Sequence, residues 1–178
     1  MTYEQLLHAI KAACDVSDDV QVWVYGSQSI LGTYPNPPSS ITASIEVDVE
    51  PVNNPDAAAK IDGALGEGSA FHMAHGFYVH GVKMEGLVNL PEGWKYRTTA
   101  VEDPLSGGVK KGLCLEVHDL AASKISAFRP KDKDFVRTLI VEKLLDSSIL
   151  MQRVREMSFD EKLKEDVIKW LEYTIENS

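Results

Sequence analysis

The chain has 178 residues, of which 44% are hydrophobic and 25% are charged, so it has the size and balance of one globular domain and not of a disordered chain. Its formal net charge of -9 argues against broad, nonspecific binding to nucleic acid. No apolar run approaches the roughly 20 residues that span a bilayer, and the N-terminus lacks the basic and apolar regions of a signal peptide. We therefore expect a cytoplasmic protein with no membrane segment.

The N-terminal part of the chain predicts a helix, a strand and a loop in that order. Thr2 and Gln5 have the spacing of a capping box ahead of an apolar helical stripe. Residues 21–25 are predicted to form a buried strand that ends at Gly26, and a short helix follows it. Prolines in residues 34–40 exclude both a helix and a central strand, which indicates a loop.

The middle of the chain predicts further strands around one helix. Residues 41–50 alternate apolar and acidic side chains, as a strand with one buried face does. A helix is predicted from Asn54 to the glycines at 66–68. Two or three short strands are expected within residues 71–90, and another at residues 113–117.

The C-terminal part of the chain is predicted to be helical. A helix begins near Asp119, a second follows from Asp132, and a third begins at a capping box that opens at Ser158. The sequence therefore predicts an α/β (α+β) core over residues 1–117. The helical part, residues 118–178, is expected to belong to the same compact domain.

A Gly-Ser pair lies where the first predicted strand gives way to a helix. Gly26 lets backbone N–H groups approach a phosphate, the start of a helix favours an anion, and Ser27 adds a hydroxyl donor. Taken alone, the pair is more typical of an ordinary turn.

Two acids lie two residues apart on the predicted strand at 41–50. Glu46 and Asp48 share one face, so their carboxylates can jointly hold Mg²⁺ or Mn²⁺. Alternating acids are also common on a solvated strand face. Metal-assisted phosphoryl transfer nevertheless uses this order of elements: a strand, a Gly-Ser pair, a helix, and then a strand with two acids. In that arrangement the Gly-Ser end holds the triphosphate.

Six segments between residues 21 and 145 resemble, in order, an uncharacterised bacterial family with a nucleotidyltransferase-like fold. They are more distantly similar to the toxin nucleotidyltransferases of abortive-infection systems. The resemblance implies that Gly26 and Ser27 bind a nucleoside triphosphate and that Glu46 and Asp48 bind the metal and serve catalysis. The segments are GSQSILG, SIEVDVEP, IDGALGEGSAFH, GFYVHGV, LPEGW and LEVHDLAASKISAFRPKDKDFV.

The same resemblance implies a third acid on a later strand, as a general base or a third metal ligand. Glu85 fits this role if residues 82–86 form that strand. Glu67, in the glycine-rich turn after the helix, is the rival. The sequence leaves the choice open.

Other polar residues have weaker patterns. Lys124 falls on an apolar helical line in a family-like segment, so we expect it to contact a nucleotide phosphate or an acid. His72, His75 and His80 cluster in sequence, but the strand pattern at residues 77–79 and the lack of an obvious fourth ligand argue against a zinc site. His72 is expected to be a hydrogen-bonding residue near the cleft.

Two functions follow from these patterns. The first is Mg²⁺- or Mn²⁺-dependent transfer of a nucleotidyl group from an NTP to a hydroxyl of a protein, RNA or small molecule. The second is an inactive binding module of the same fold, belonging to a toxin–antitoxin or phage-defence pair. A glutamate at position 46 favours the inactive binding module, because aspartate is commoner at that position in the superfamily pattern. The presence of Gly-Ser together with two acids favours the enzyme. A homo-oligomer or a partner protein fits either function.

Overall fold

The computed structural model describes residues 1–84 and 89–178. It divides into two compact units, one formed by Met1–Glu85 with Thr98–Leu115 and the other by Gly86–Arg97 with Glu116–Ser178. Within the described residues, the first unit holds a mixed five-stranded sheet with helices and the second is helical. The predicted α/β fold with a helical C-terminal part is confirmed. Its assignment to one compact domain stays a prediction.

The sheet has the strand order β3-β2-β1-β5-β4. The central strand β1 pairs antiparallel with β2 and parallel with β5. The outer pairs are β2 with β3, which are parallel, and β4 with β5, which are antiparallel. The strands are β1 (Gln21–Tyr25), β2 (Glu46–Pro51), β3 (Tyr78–Gly81), β4 (Thr99–Glu102) and β5 (Lys111–Cys114).

Helices cover the apolar face of this sheet. The valines of β1, β2 and β3 on that face are fully buried. Gly112 of β5 leaves room for α1, because a Cβ atom there would lie 2.5 Å from Ile10 Cδ1. The predicted capping box of Thr2 and Gln5 begins α1 and is confirmed. The α-helices in the described part of this unit are α1 (Tyr3–Ser17), α2 (Ala58–Leu65) and α3 (Ala70–His75).

Two expectations for this unit were wrong in part. Strand β2 begins at Glu46 and not at residue 41. The Ser44 hydroxyl accepts a hydrogen bond from the backbone N–H of Glu46 and donates one to its C=O, and such local hydrogen bonds compete with strand pairing. The first part of residues 71–90 forms the end of α3, since the Ser69 side chain caps the helix at the N–H of His72.

The second unit contains four α-helices within its described part: α4 (Val117–Ala127), α5 (Pro130–Val141), α6 (Ser147–Glu156) and α7 (Glu161–Glu176). The Glu116 carboxylate caps α4, so the strand expected at residues 113–117 ends at Cys114. Asp160, and not Ser158, caps α7 by accepting a hydrogen bond from the Leu163 N–H. Across the described ranges, the helices are too short or too polar to cross a membrane.

Candidate functional site

Strand β2 presents its acids on the face opposite the buried valines. Val47 and Val49 are fully buried, and this fixes the outward direction of Glu46, Asp48 and Glu50 because side chains alternate along a strand. The side chains of Glu46 and Asp48 remain 37% and 29% exposed. Both carboxylates are therefore partly accessible to solvent.

Strand β3 brings a histidine to these acids. The parallel register places His80 directly opposite Asp48, and Tyr78 opposite Glu46. His80 Nδ1 lies 3.0 Å from Asp48 Oδ1 and 3.4 Å from Glu46 Oε1. A single ring nitrogen thus faces both carboxylates.

Glu46, Asp48 and His80 have the spacing of a metal-binding group. One ligand atom from each lies within 4.8 Å of the others. Neighbouring ligands of a six-coordinate ion with bonds of about 2.1 Å lie roughly 3 Å apart, close to the two nitrogen–oxygen distances. Three protein ligands also leave coordination positions for substrate oxygens. The donor set therefore fits one divalent ion.

The Gly-Ser turn lies against the same acids. Gly26 follows β1 with φ 66° and ψ -169°, a conformation that only glycine adopts readily, and a Cβ atom there would lie 2.5 Å from Asp48 Oδ2. Ser27 begins a short 3-10 helix, Ser27–Gly32, and no hydrogen bond of its hydroxyl is present among the described residues. The turn and the acid pair are thus parts of one local arrangement.

Replacing Gly26 by alanine is expected to destabilise the protein through backbone strain of about 1–3 kcal/mol and through collision with the Asp48 carboxylate. In an Asp48→Ala background only the strain remains. Chemical denaturation of the four proteins should give a coupling energy of about 1 kcal/mol. The control is Gly107→Ala, because Gly107 has φ 67° but no neighbour within 4 Å, and its cost should be the same in both backgrounds. If the free-energy costs of Gly26→Ala and Asp48→Ala are additive in the double variant, the close contact between Gly26 and Asp48 is contradicted.

The third acid of β2 has a different environment. Glu50 Oε2 accepts a hydrogen bond of 2.9 Å from the hydroxyl of Tyr25 and lies 3.4 Å from the backbone nitrogen of Met84. Burial raises the pKa of Tyr25, and the charge and hydrogen bond of Glu50 raise it further. Burial and Glu50 together favour the protonated form of Tyr25, and Glu50 does not belong to the metal-binding group.

Tyr78 connects the acid pair to the turn that carries Glu67. Burial raises the pKa of the Tyr78 hydroxyl, and the negative charges of Glu46, Glu67 and Asp48 raise it further. Its ring packs on His72, with centroids 4.9 Å apart, and His72 Nδ1 accepts a hydrogen bond of 3.0 Å from the backbone N–H of Gly68. Glu67 and the acid pair thus both act on Tyr78, while His72 supports the turn.

Two of the sequence-based assignments fall outside the described residues of the first unit. Glu85 lies outside the described residues, so its role stays a prediction. Lys124 lies on α4 in the second unit, where its ammonium is 4.0 Å from Asp132 Oδ1 and 5.2 Å from the centre of the Phe135 ring. Asp132 is thus an acid within reach of Lys124. Contact of Lys124 with the acids of the proposed metal site or with a nucleotide phosphate stays a prediction.

His80 is the residue that sequence reasoning missed. The signal was available, because a strand, a helix and a second strand in succession favour parallel neighbours in one sheet. Placing residues 77–81 beside residues 45–50 would have set His80 next to the acids. The sequence pattern groups His80 with His72 and His75, whereas in the structure His75 packs against the ring of His8 on α1, with centroids 4.5 Å apart.

Comparison with known proteins gives a family but no individual relative. No curated protein and no solved structure matches the chain significantly. One family matches residues 2–177, which is nearly the whole chain. The chain therefore belongs to the family described as "Nucleotidyltransferase of unknown function (DUF6036)".

Proposed function

We propose that the protein transfers a nucleotidyl group from a nucleoside triphosphate to an acceptor hydroxyl. The acceptor oxygen forms a bond to the α-phosphorus, the bond from the α-phosphorus to the bridging oxygen of the β-phosphate breaks, and pyrophosphate leaves. The proton of the acceptor passes to a base. Glu67 and Glu85 remain the candidates for that base from the sequence.

The convergence of Glu46, Asp48 and His80 beside Gly26 carries this proposal. Their donor atoms are close enough to share one divalent ion and exposed enough to meet a substrate. A divalent ion held there would neutralise charge on the phosphates of the NTP. Membership of a family described as nucleotidyltransferases supports the same reaction.

Each residue of the candidate site would then have a defined role. Glu46 and Asp48 would hold a divalent ion through carboxylate oxygens, and His80 would do so through a ring nitrogen. The Ser27 hydroxyl donates a hydrogen bond to a phosphate oxygen, while the missing side chain of Gly26 lets the triphosphate approach the end of β1. A base at the acceptor hydroxyl completes the set.

Thermal unfolding tests whether this site binds a metal–nucleotide complex. At about ten times the dissociation constant, Mg·ATP or Mn·ATP is expected to stabilise the wild type by about 1.4 kcal/mol, or roughly 3–6 °C in Tm. The double substitution Glu46→Gln with Asp48→Asn should abolish the rise, because it removes both carboxylate charges. Glu50→Gln is the matched control and should retain it, since Glu50 serves Tyr25.

Two other outcomes of these measurements would argue against the enzyme. A wild type that shows no rise with any NTP at millimolar concentration would contradict the site. A wild type that binds Mg·ATP or Mn·ATP but never releases pyrophosphate, with lysates as acceptor sources, would favour the inactive binding module with a partner protein.

A further inference from the structure

The donor set beside the Gly-Ser turn contains an imidazole nitrogen as well as carboxylate oxygens. Mg²⁺ strongly prefers oxygen ligands and gives up its waters reluctantly, whereas imidazole is a good ligand for transition-metal ions. We infer that this site selects a transition-metal ion such as Mn²⁺ over Mg²⁺ through His80. The inference rests on the proposed function of the same site and specifies its metal.

The position of His80 supports a ligand role and not a distant charge. Nδ1 is the atom that approaches both carboxylates, at 3.0 and 3.4 Å, and its position is fixed by the parallel register of β3 with β2. Among the described residues, no hydrogen bond involves the other ring nitrogen, Nε2, and the side chain is 44% exposed. Without an ion, Nδ1–H can donate to Asp48 Oδ1. With an ion between the ring and the acids, the other tautomer can present the Nδ1 lone pair to the ion while water meets Nε2–H.

The neighbouring acids do not replace His80 as a third ligand. Glu50 is engaged by Tyr25 and by the backbone of Met84. Glu67 is exposed, and its carboxylate is not part of the compact donor group. Among the described residues, His80 therefore completes the group that Glu46 and Asp48 begin.

Replacing His80 by aspartate provides the test, because it changes the donor set from one nitrogen and two carboxylates to three carboxylates. Mn²⁺ affinity is measured without nucleotide from the electron paramagnetic resonance signal of free Mn²⁺, and Mg²⁺ affinity by competition. The ratio of Mn²⁺ to Mg²⁺ affinity is expected to fall by at least about tenfold in His80→Asp. His75→Asp is the matched control, since it adds the same charge at a histidine outside the donor group, and its ratio should equal that of the wild type.

A spectroscopic readout separates direct ligation from electrostatics. Bound Mn²⁺ should show electron spin echo modulation from a directly coordinated ¹⁴N nucleus in the wild type and in His75→Asp. The modulation should be lost in His80→Asp and in His80→Gln. Bound Mn²⁺ without ¹⁴N coupling in the wild type, an unchanged affinity ratio in His80→Asp, or no Mn²⁺ binding at all would each overturn the inference.

This test and that of the proposed function fail separately. Stabilisation of the wild type by Mg·ATP, together with an unchanged ratio of Mn²⁺ to Mg²⁺ affinity in His80→Asp, would leave nucleotide binding in place and remove the metal preference. Nitrogen-coupled Mn²⁺ in a protein that neither binds nor turns over any NTP would support the metal site and contradict the nucleotidyltransferase.

Discussion

The substitution Asp48→Asn is expected to reduce nucleotidyl transfer by about 10²–10³-fold, which corresponds to roughly 3–4 kcal/mol of lost transition-state stabilisation. Asparagine keeps the size of the side chain, so the close fit of Asp48 against Gly26 is preserved. It removes the negative charge that the proposed mechanism needs beside the phosphates. The loss should therefore appear in transfer and not in the stability of the fold.

Transfer is measured as label moved from α-³²P NTP to protein or RNA of a lysate, together with release of pyrophosphate. Glu50→Gln is the control, because it makes the same change of charge two residues away on the same face of β2 and leaves an oxygen that accepts from Tyr25. We expect it to lose less than about tenfold. Equal losses in Asp48→Asn and Glu50→Gln would point to general electrostatics and contradict a specific role for Asp48.

The acid pair could be predicted from sequence because its evidence is local. Val47 and Val49 alternate with Glu46, Asp48 and Glu50, so the shared face follows from strand geometry alone. The partner from β3 required knowledge of which strands are neighbours. That information comes from the order of strands and helices along the chain and not from the spacing of residues within one segment.

The errors at element ends have local physical causes. Ile45 carries an apolar side chain in phase with Val47, yet it is 48% exposed, because the bonds of Ser44 delay the start of β2. Ser158 and Asp160 are both good N-capping residues, and the structure uses the second. Sequence patterns identify such elements more readily than their first residues.

A buried charge cluster in the helical unit was also missed, because its members are far apart in sequence. Asp119 on α4 is 1% exposed and receives two hydrogen bonds from Arg97, at 2.7 and 3.0 Å. Arg153 Nε on α6 lies 3.4 Å from the same carboxylate, although it makes no hydrogen bond within the described chain. One carboxylate thus neutralises two guanidinium groups that are each about a quarter exposed.

The substitution Asp119→Ala is expected to lower the free energy of unfolding by about 3–5 kcal/mol, because it leaves the guanidinium groups of Arg97 and Arg153 without their shared counter-charge. Denaturant unfolding followed by circular dichroism measures the change. Asp134→Ala is the matched control: Asp134 pairs with Arg137 on the surface of α5, with side chains 74% and 49% exposed, and solvent screening should keep its cost below about 1 kcal/mol. If both substitutions cost the same small amount, the Asp119 cluster does not stabilise the helical unit.

If Asp119→Ala unfolds the protein outright, the stability of Asp119→Asn is measured in its place, since asparagine retains the shape of the side chain and loses only the charge. A cost for Asp119→Asn well above that of Asp134→Ala would then assign the stabilisation to the buried charge itself.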